Sequence, residues 1–394
     1  MGLDRLGSSA IADDAIAAAD IADGSISTAK LADSAVTYAK WDGTNLGRRN
    51  LVINGAMNVA QRGTSVTGVT GTGYYTVDRF STDLTTLATW SISQSTDAPE
   101  GFAYSLLHDC TTADASPAAG DTFRLSYRFE GQDLQHLQKG TSSAKSCILS
   151  FWIKSNKTGT GQFNIRDIDN NRGINKTYTI DAADTWEKKT ILIEGDTTGT
   201  ISNDNGSSFW LLWVFNSGTD NTSGTFNDAW HAFDWTDVNA AGTLDIGAST
   251  SDYVKITGVQ LEVGDTATPF EHRSYGEELS LCQRYYQILA NNLSDTVGAS
   301  SKWSTGNNFI FIDLPVEMRT QPTLDTNLST VTAAMRLSSM GYNSTGNTLT
   351  LDGDSSPRRL RLNTTIDSGS ITNGAGGWLR INEGTIYVNV DAEL

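Results

Sequence analysis

Residues 251–287 read SDYVKITGVQLEVGDTATPFEHRSYGEELSLCQRYYQ. In the first part, Val254, Ile256 and Leu261 alternate with Lys255, Thr257 and Gln260, the period of a half-buried strand. The segment 265–269 closes on Pro269, which cannot donate to a sheet ladder. Beyond it the spacing lengthens: Leu279, Cys282, Tyr286 and Leu289 fall three or four apart, as on a short helix. The stretch reads as the closing strand of one β domain, an exit turn and a hinge into a second domain. It divides the chain into residues 1–47, a β-sandwich body over 48–272, a helical hinge over 273–290 and a β domain over 291–394.

The segment VQLEVG-x-x-ATPFEHRSYGEELSLCQRYYQ, residues 259–287, resembles a signature of tail-fibre and tail-appendage (receptor-binding) proteins of tailed bacteriophages, marine podovirus-like. RNLVINGAMNVAQR at 49–62 and YTVDRF at 75–80 resemble the start of the same domain. NLVINGAMN is similar to the first strand of carbohydrate-binding-module jelly rolls, and LPVEMRTQPTL at 314–324 resembles the start of a small β domain that follows the signature. The resemblance covers about residues 48–323. It implies a virion protein made in the host cytoplasm and carried on the tail.

Outward from the signature, residues 10–39 align as three decads, AIADDAIAAA, DIADGSISTA and KLADSAVTYA. Ile11, Ile16, Ile21, Ile26, Leu31 and Val36 recur every five positions, and Trp41 ends the series. Five residues advance a helix by about 500°, so such side chains would wind around it rather than form a stripe. On a strand they would alternate faces. Short repeats that cannot cover their own apolar side chains need neighbours, and the simplest neighbours are two further copies. The reading is a homotrimeric stalk that also joins other virion proteins.

The rest is turn-rich. Ten short strand patterns fall between residues 74 and 263 and six between 308 and 390, with 51–57 as a further strand opening the body. Few charges, many Gly, Thr, Ser and Asn, and no long helical period give an all-β class: a jelly-roll β-sandwich and a small C-terminal β-sandwich. Residues 209–215, FWLLWVF, are apolar on both faces: either a central strand covered on both sides or, the favoured reading, a strand whose outer side meets another subunit. Three cysteines form no CxxC pair and read as buried free thiols.

The net charge of −17, from 28 basic and 45 acidic residues, excludes nucleic-acid and anionic-membrane partners, which need a basic surface. The longest apolar run is too short for a membrane span, so no membrane insertion is expected. No GxxxxGK[ST], HExxH or GxSxG occurs. Asp167-Ile-Asp169-Asn-Asn171 begins like a calcium loop but has Arg172 where glycine belongs and Tyr178 where glutamate belongs. No catalytic, cofactor or metal residues are assigned.

What remains is binding. Aromatic faces suit the apolar side of a sugar ring, and amides and carboxylates suit its hydroxyls. Two groups supply both: Trp230, His231, Phe233, Trp235 and Asp237 in the long segment 216–250, and Trp303, Asn307, Tyr342, Asn343 and Trp378 near the C-terminus. The expectation is a non-enzymatic tail fibre that attaches to a glycan or outer-membrane protein of the host through its C-terminal region. The alternatives are a structural fibre or adaptor without receptor binding, and a polysaccharide depolymerase.

Overall fold

The computed structural model describes residues 48–394 except 305–306, 329–334, 340–341, 347, 366–373 and 383–385; for 338–339 and 342–344 it describes the backbone alone. The stalk positions Ile11, Ile16, Ile21, Ile26, Leu31, Val36 and Trp41 lie outside the described residues.

The body contains twelve strands: β1 Ser65–Val69, β2 Phe80–Thr85, β3 Thr89–Ser95, β4 Ser105–Thr112, β5 Thr122–Glu130, β6 Cys147–Ser155, β7 Gly159–Asp167, β8 Arg172–Ile180, β9 Glu187–Ile193, β10 Ser207–Ser217, β11 His231–Ala232 and β12 Tyr253–Val263. They form two six-stranded antiparallel sheets, ordered β1-β3-β4-β12-β6-β9 and β11-β8-β7-β10-β5-β2. Period-two alternation decides which side chains meet between them. Phe123, Leu125, Tyr127 and Phe129 of β5 point inward with Phe163, Ile165, Leu211 and Trp213, against Trp90, Leu149, Phe151 and Val254. Trp90 stacks on Phe123 at 4.0 Å and Phe151 meets Trp213 edge-on at 5.8 Å.

β12, the strand at the head of the signature, is central in its sheet, between β4 and β6. Its register with β6 slips between Thr257 and Gln260. Gly258 sits at this bulge with φ +61, and a Cβ there would lie 2.7 Å from the ring of Phe102. Glycine is required on both counts. All three cysteines are buried and free.

Three expectations need correction. Residues 51–57 form a tight turn rather than a strand. The buried Asn54, at φ 62, uses its side chain to bond the backbone of Val59 and Asp78, so the Asn-Gly pair turns the chain. The helical spacing does not run to Leu289: the helix α1 spans Tyr275–Gln283, capped by Ser274, and Tyr286–Ala290 is a strand. Finally, the outer side of β10 at Leu212 and Val214 is covered by the chain itself rather than left for a subunit. Leu212 and Val214 are buried together with Val238 and Asn239 of the chain's own long loop. Asn164 Nδ2 donates to Val238 O at 2.8 Å and Gln162 Nε2 to Asp237 O at 2.7 Å, which ties the loop down.

The C-terminal domain holds β13 Tyr286–Ala290, β14 Thr296–Ser304, β15 Asn307–Asp313, β16 Thr323–Thr326, β17 Met335–Ser339, β18 Tyr342–Gly346, β19 Thr350–Leu351, β20 Arg359–Thr364, β21 Gly376–Ile381 and β22 Val388–Asp391. A three-stranded sheet, β13-β22-β16, accompanies a seven-stranded one, β18-β17-β21-β14-β15-β20-β19. Ile310, Leu337, Leu360, Leu362, Leu379 and Val390 belong to its separate core.

The signature motifs join the two domains. Glu130 at the end of β5 is fully buried. It accepts hydrogen bonds from Arg284 Nε and Nη2, at 2.7 and 2.6 Å, and from the Tyr285 hydroxyl at 2.6 Å. Arg79 lies 3.4 Å from the Tyr285 ring centre and pairs with Glu393. Arg62 lies 3.7 Å from the Tyr286 ring centre and pairs with Asp391 at 2.8 Å and Glu393 at 3.4 Å. Burial alone would lower the Arg62 pKa; the Glu393, Asp391 and Asp78 carboxylates outweigh it and hold it raised.

Candidate functional site

Two sheet faces gather aromatic residues that lie outside the cores. On the seven-stranded sheet, strand parity sends Ile310 and Leu379 inward and their neighbours outward. Ala299 of β14 pairs with Phe311 on one side and Trp378 on the other. The two rings stand two strand spacings apart, about 10 Å, with the small Ala299 between them as a floor. Trp378 is 57 % exposed, Phe311 50 % and Trp303, further along β14, 73 %. A bulge between Lys302 and Ser304 sets Trp303 beside Phe309 at 6.3 Å. Arg361 lies 4.8 Å from the Phe309 ring centre. The result is an open aromatic trough whose apolar floor and walls remain in water.

Of the C-terminal residues named from sequence, Trp303 and Trp378 share this face. Asn307 begins β15 beside it, its amide donating to Ser304 Oγ at 3.0 Å. Tyr342 and Asn343 are placed on the edge strand β18, while their side chains lie outside the described residues. Phe311 was missed. Its alternation with Ile310 and Ile312 suits a buried strand equally well, and only the register beside Ala299 reveals its exposure.

The second face is the outer side of the β11–β2 sheet. Here the register puts Arg128, Trp210, Arg166 and Gly173 in one row across β5, β10, β7 and β8. Phe233 lies over Gly173, where a Cβ would come within 2.8 Å of the ring. Trp235 meets Trp210 edge-on at 5.6 Å and Phe233 at 4.8 Å. Arg128 lies over Trp210 at 4.3 Å, Arg124 over Trp235 at 4.9 Å and Arg166 over Phe233 at 4.7 Å.

The loop residues named from sequence divide between two tasks. Phe233 and Trp235 build this face. Trp230 packs toward Phe209 at 5.9 Å and donates its indole N–H to Glu194 O at 2.7 Å. It borders a groove of about 470 Å³ with Arg172, Glu194 and Asp228. His231 pairs in β11 with Gly173, its Nε2 3.4 Å from an Asp237 oxygen. Asp237 also accepts from Thr225 N at 2.9 Å, so its carboxylate braces the loop. The loop group and the C-terminal group lie on different sheets. No group of His, Cys, Asp and Glu able to hold a metal occurs among the described residues.

No family model matches the chain, and no curated protein matches it. Several solved structures resemble it. One is the enzymatically active domain of a bacteriophage CBA120 tailspike protein: 11 % identity, TM-score 0.28, 55 % of this chain and 22 % of that one. The chain thus spans about a fifth of the tailspike's length. Another is the family 11 carbohydrate-binding module of a Clostridium thermocellum cellulosomal cellulase: 12 % identity, TM-score 0.26, 51 % of this chain and 99 % of that one. A tandem pair of family 22 modules from Paenibacillus barcinonensis covers 88 % of this chain and 98 % of its own, at 10 % identity and TM-score 0.25.

Proposed function

We propose that this chain is a glycan-binding attachment protein of a tailed phage, which holds host-surface sugar on the aromatic trough of its C-terminal sheet. The observation that carries this reading is the exposure of Trp303, Phe311 and Trp378 on one face, 73, 50 and 57 %. Large aromatics bare to water on a flat sheet are costly unless a ligand covers them. A pyranose covers such rings with its apolar side. In this reading the decads of residues 10–39 bring three copies together and fix them to the particle. Weak single-site contacts then add by avidity. The chain binds its polysaccharide without cleaving it.

The test is a glycan array and a host-cell binding assay with the whole chain, beside a Trp303→Ala/Trp378→Ala variant. Binding by the natural chain, lost in a folded variant, supports the reading. Absence of binding to any glycan and to host cells overturns it in favour of a structural adaptor. New reducing ends after incubation with host polysaccharide would make the chain a depolymerase instead. Light scattering with and without residues 1–47 reads the trimer directly.

A further inference from the structure

We infer that the outer face of the β11–β2 sheet binds an anionic sugar unit, its carboxylate or sulfate held by Arg124, Arg128 and Arg166 and its ring resting on Trp210 and Trp235. This extends the glycan-binding reading from the C-terminal trough to a second, chemically distinct surface on the body.

Three guanidiniums converge on two indoles in a chain with net charge −17, so the local sign is opposite to that of the molecule. One facing carboxylate, Asp83, offsets part of this charge. Asp83 is the carboxylate that opposes Arg124 across β2 and β5. It is buried, and one oxygen is committed to the Ser81 and Ser126 hydroxyls at 3.0 and 3.1 Å. Arg128 donates to Leu394 O at 2.8 Å. Among the described residues, Arg124 and Arg166 donate no side-chain hydrogen bond. The Nε atoms of all three arginines and the Trp210 indole nitrogen are buried without an acceptor. Burial lowers the pKa of Arg124 more than the Asp83 carboxylate raises it, and burial and the Arg128 charge together lower that of Arg166.

Unmade hydrogen bonds and crowded like charges are a cost the fold leaves standing. A planar guanidinium fork matches a carboxylate or sulfate oxygen pair. The indoles that carry the arginines are half-buried, so their uncovered edges offer an apolar contact beside the charge. Phe233, seated over Gly173, closes the far side. An anion with a ring attached matches the charge and the indole edges at once.

The probes are alginate, whose uronates carry carboxylates, dextran sulfate, and uncharged dextran, titrated against the full chain by biolayer interferometry at fixed ionic strength. The expected result is binding of one charged polymer roughly tenfold or more tighter than dextran. Which polymer wins tells carboxylate from sulfate. Arg128→Gln and Arg166→Gln should each weaken that polymer roughly tenfold and leave dextran unchanged, while Arg166→Lys keeps part of the effect. Equal affinity for the three polymers, or charged-polymer binding that neither variant moves, overturns the inference. Should the variants misfold, free glucuronate or sulfate must compete on the natural chain where glucose does not; failure to compete overturns it as well. The Trp303→Ala/Trp378→Ala chain separates the two surfaces: it should keep the charge-dependent part, and losing that part would assign anion binding to the trough.

Discussion

On the body's second sheet, Trp210 lies between Arg128 and Arg166 with Trp235 edge-on above it. On the seven-stranded sheet, Trp378 and Phe311 flank Ala299 and stay more than half bare or nearly so. Both are outer faces of antiparallel sheets, and both place tryptophan and arginine in cross-strand rows. What separates them is the segment 218–245, which folds back over the first and has no counterpart over the second among the described residues. A returning loop converts ring area into stability and leaves only edges and charges to a ligand. A bare sheet keeps the ring faces and gains nothing from them until something binds.

If that contrast holds, stability cost and binding cost should run in opposite orders across the molecule. The largest stability loss is expected at the fully buried Trp213: Trp213→Ala should cost about 3–5 kcal/mol in urea unfolding. Glu130→Ala should cost about as much, ~3–5 kcal/mol, because it strands the Arg284 charge and the Tyr285 hydroxyl. A small effect there would mean the two domains are joined by less than these contacts.

Acid should separate the regions next. His108 is buried beside Thr82 Oγ1 at 2.8 Å, and burial pushes its pKa down to about 3. An unfolded histidine titrates near ~6.5. Between those values the unfolded chain takes up a proton that the native body refuses, so stability falls as pH drops. The loss should reach about 2 kcal/mol by pH ~5, and His108→Gln should abolish it. The C-terminal domain holds none of the four histidines. Hydrogen exchange across pH should therefore show the body loosening first by this route. Simultaneous loosening of both would break the contrast.

The two aromatic faces supply the smallest stability effects. Trp210→Ala should cost ~1–2 kcal/mol, since its ring is partly covered by the loop. Trp378→Ala should change stability by only about 0.5 kcal/mol or less yet abolish most glycan binding. A Trp378→Ala chain that melts early but binds normally would reverse the assignment of that ring.

The sequence displays one half of this arrangement well. β12 runs over Tyr253–Val263, the span its alternation marks, because apolar and polar residues alternate on either side of the bulge at Gly258. The run Phe123, Leu125, Tyr127, Phe129 likewise marks which side of β5 is inside. The same alternation puts Arg124 and Arg128 outside, but nothing in it says that Arg128 and Arg166 flank Trp210. That follows from strand register, a non-local property. β13 was hidden for a different reason: Cys282, Tyr286 and Leu289 fit a helix, whereas Tyr286–Ala290 is a strand because it pairs with the sequence-remote β22. The strand expected over residues 51–57 fails because the turn at Asn54-Gly55 is held by Val59 and Asp78, contacts that no propensity contains.

The joint between the domains carries one more implication. Arg79, Glu130 and Glu393 meet their partners away from solvent, with 1, 0 and 5 % of their side chains exposed, where dissolved ions screen attraction far less than at an open surface. A tug applied at the C-terminal sheet would thus reach the body through a coupling whose stiffness changes little between fresh water and brine.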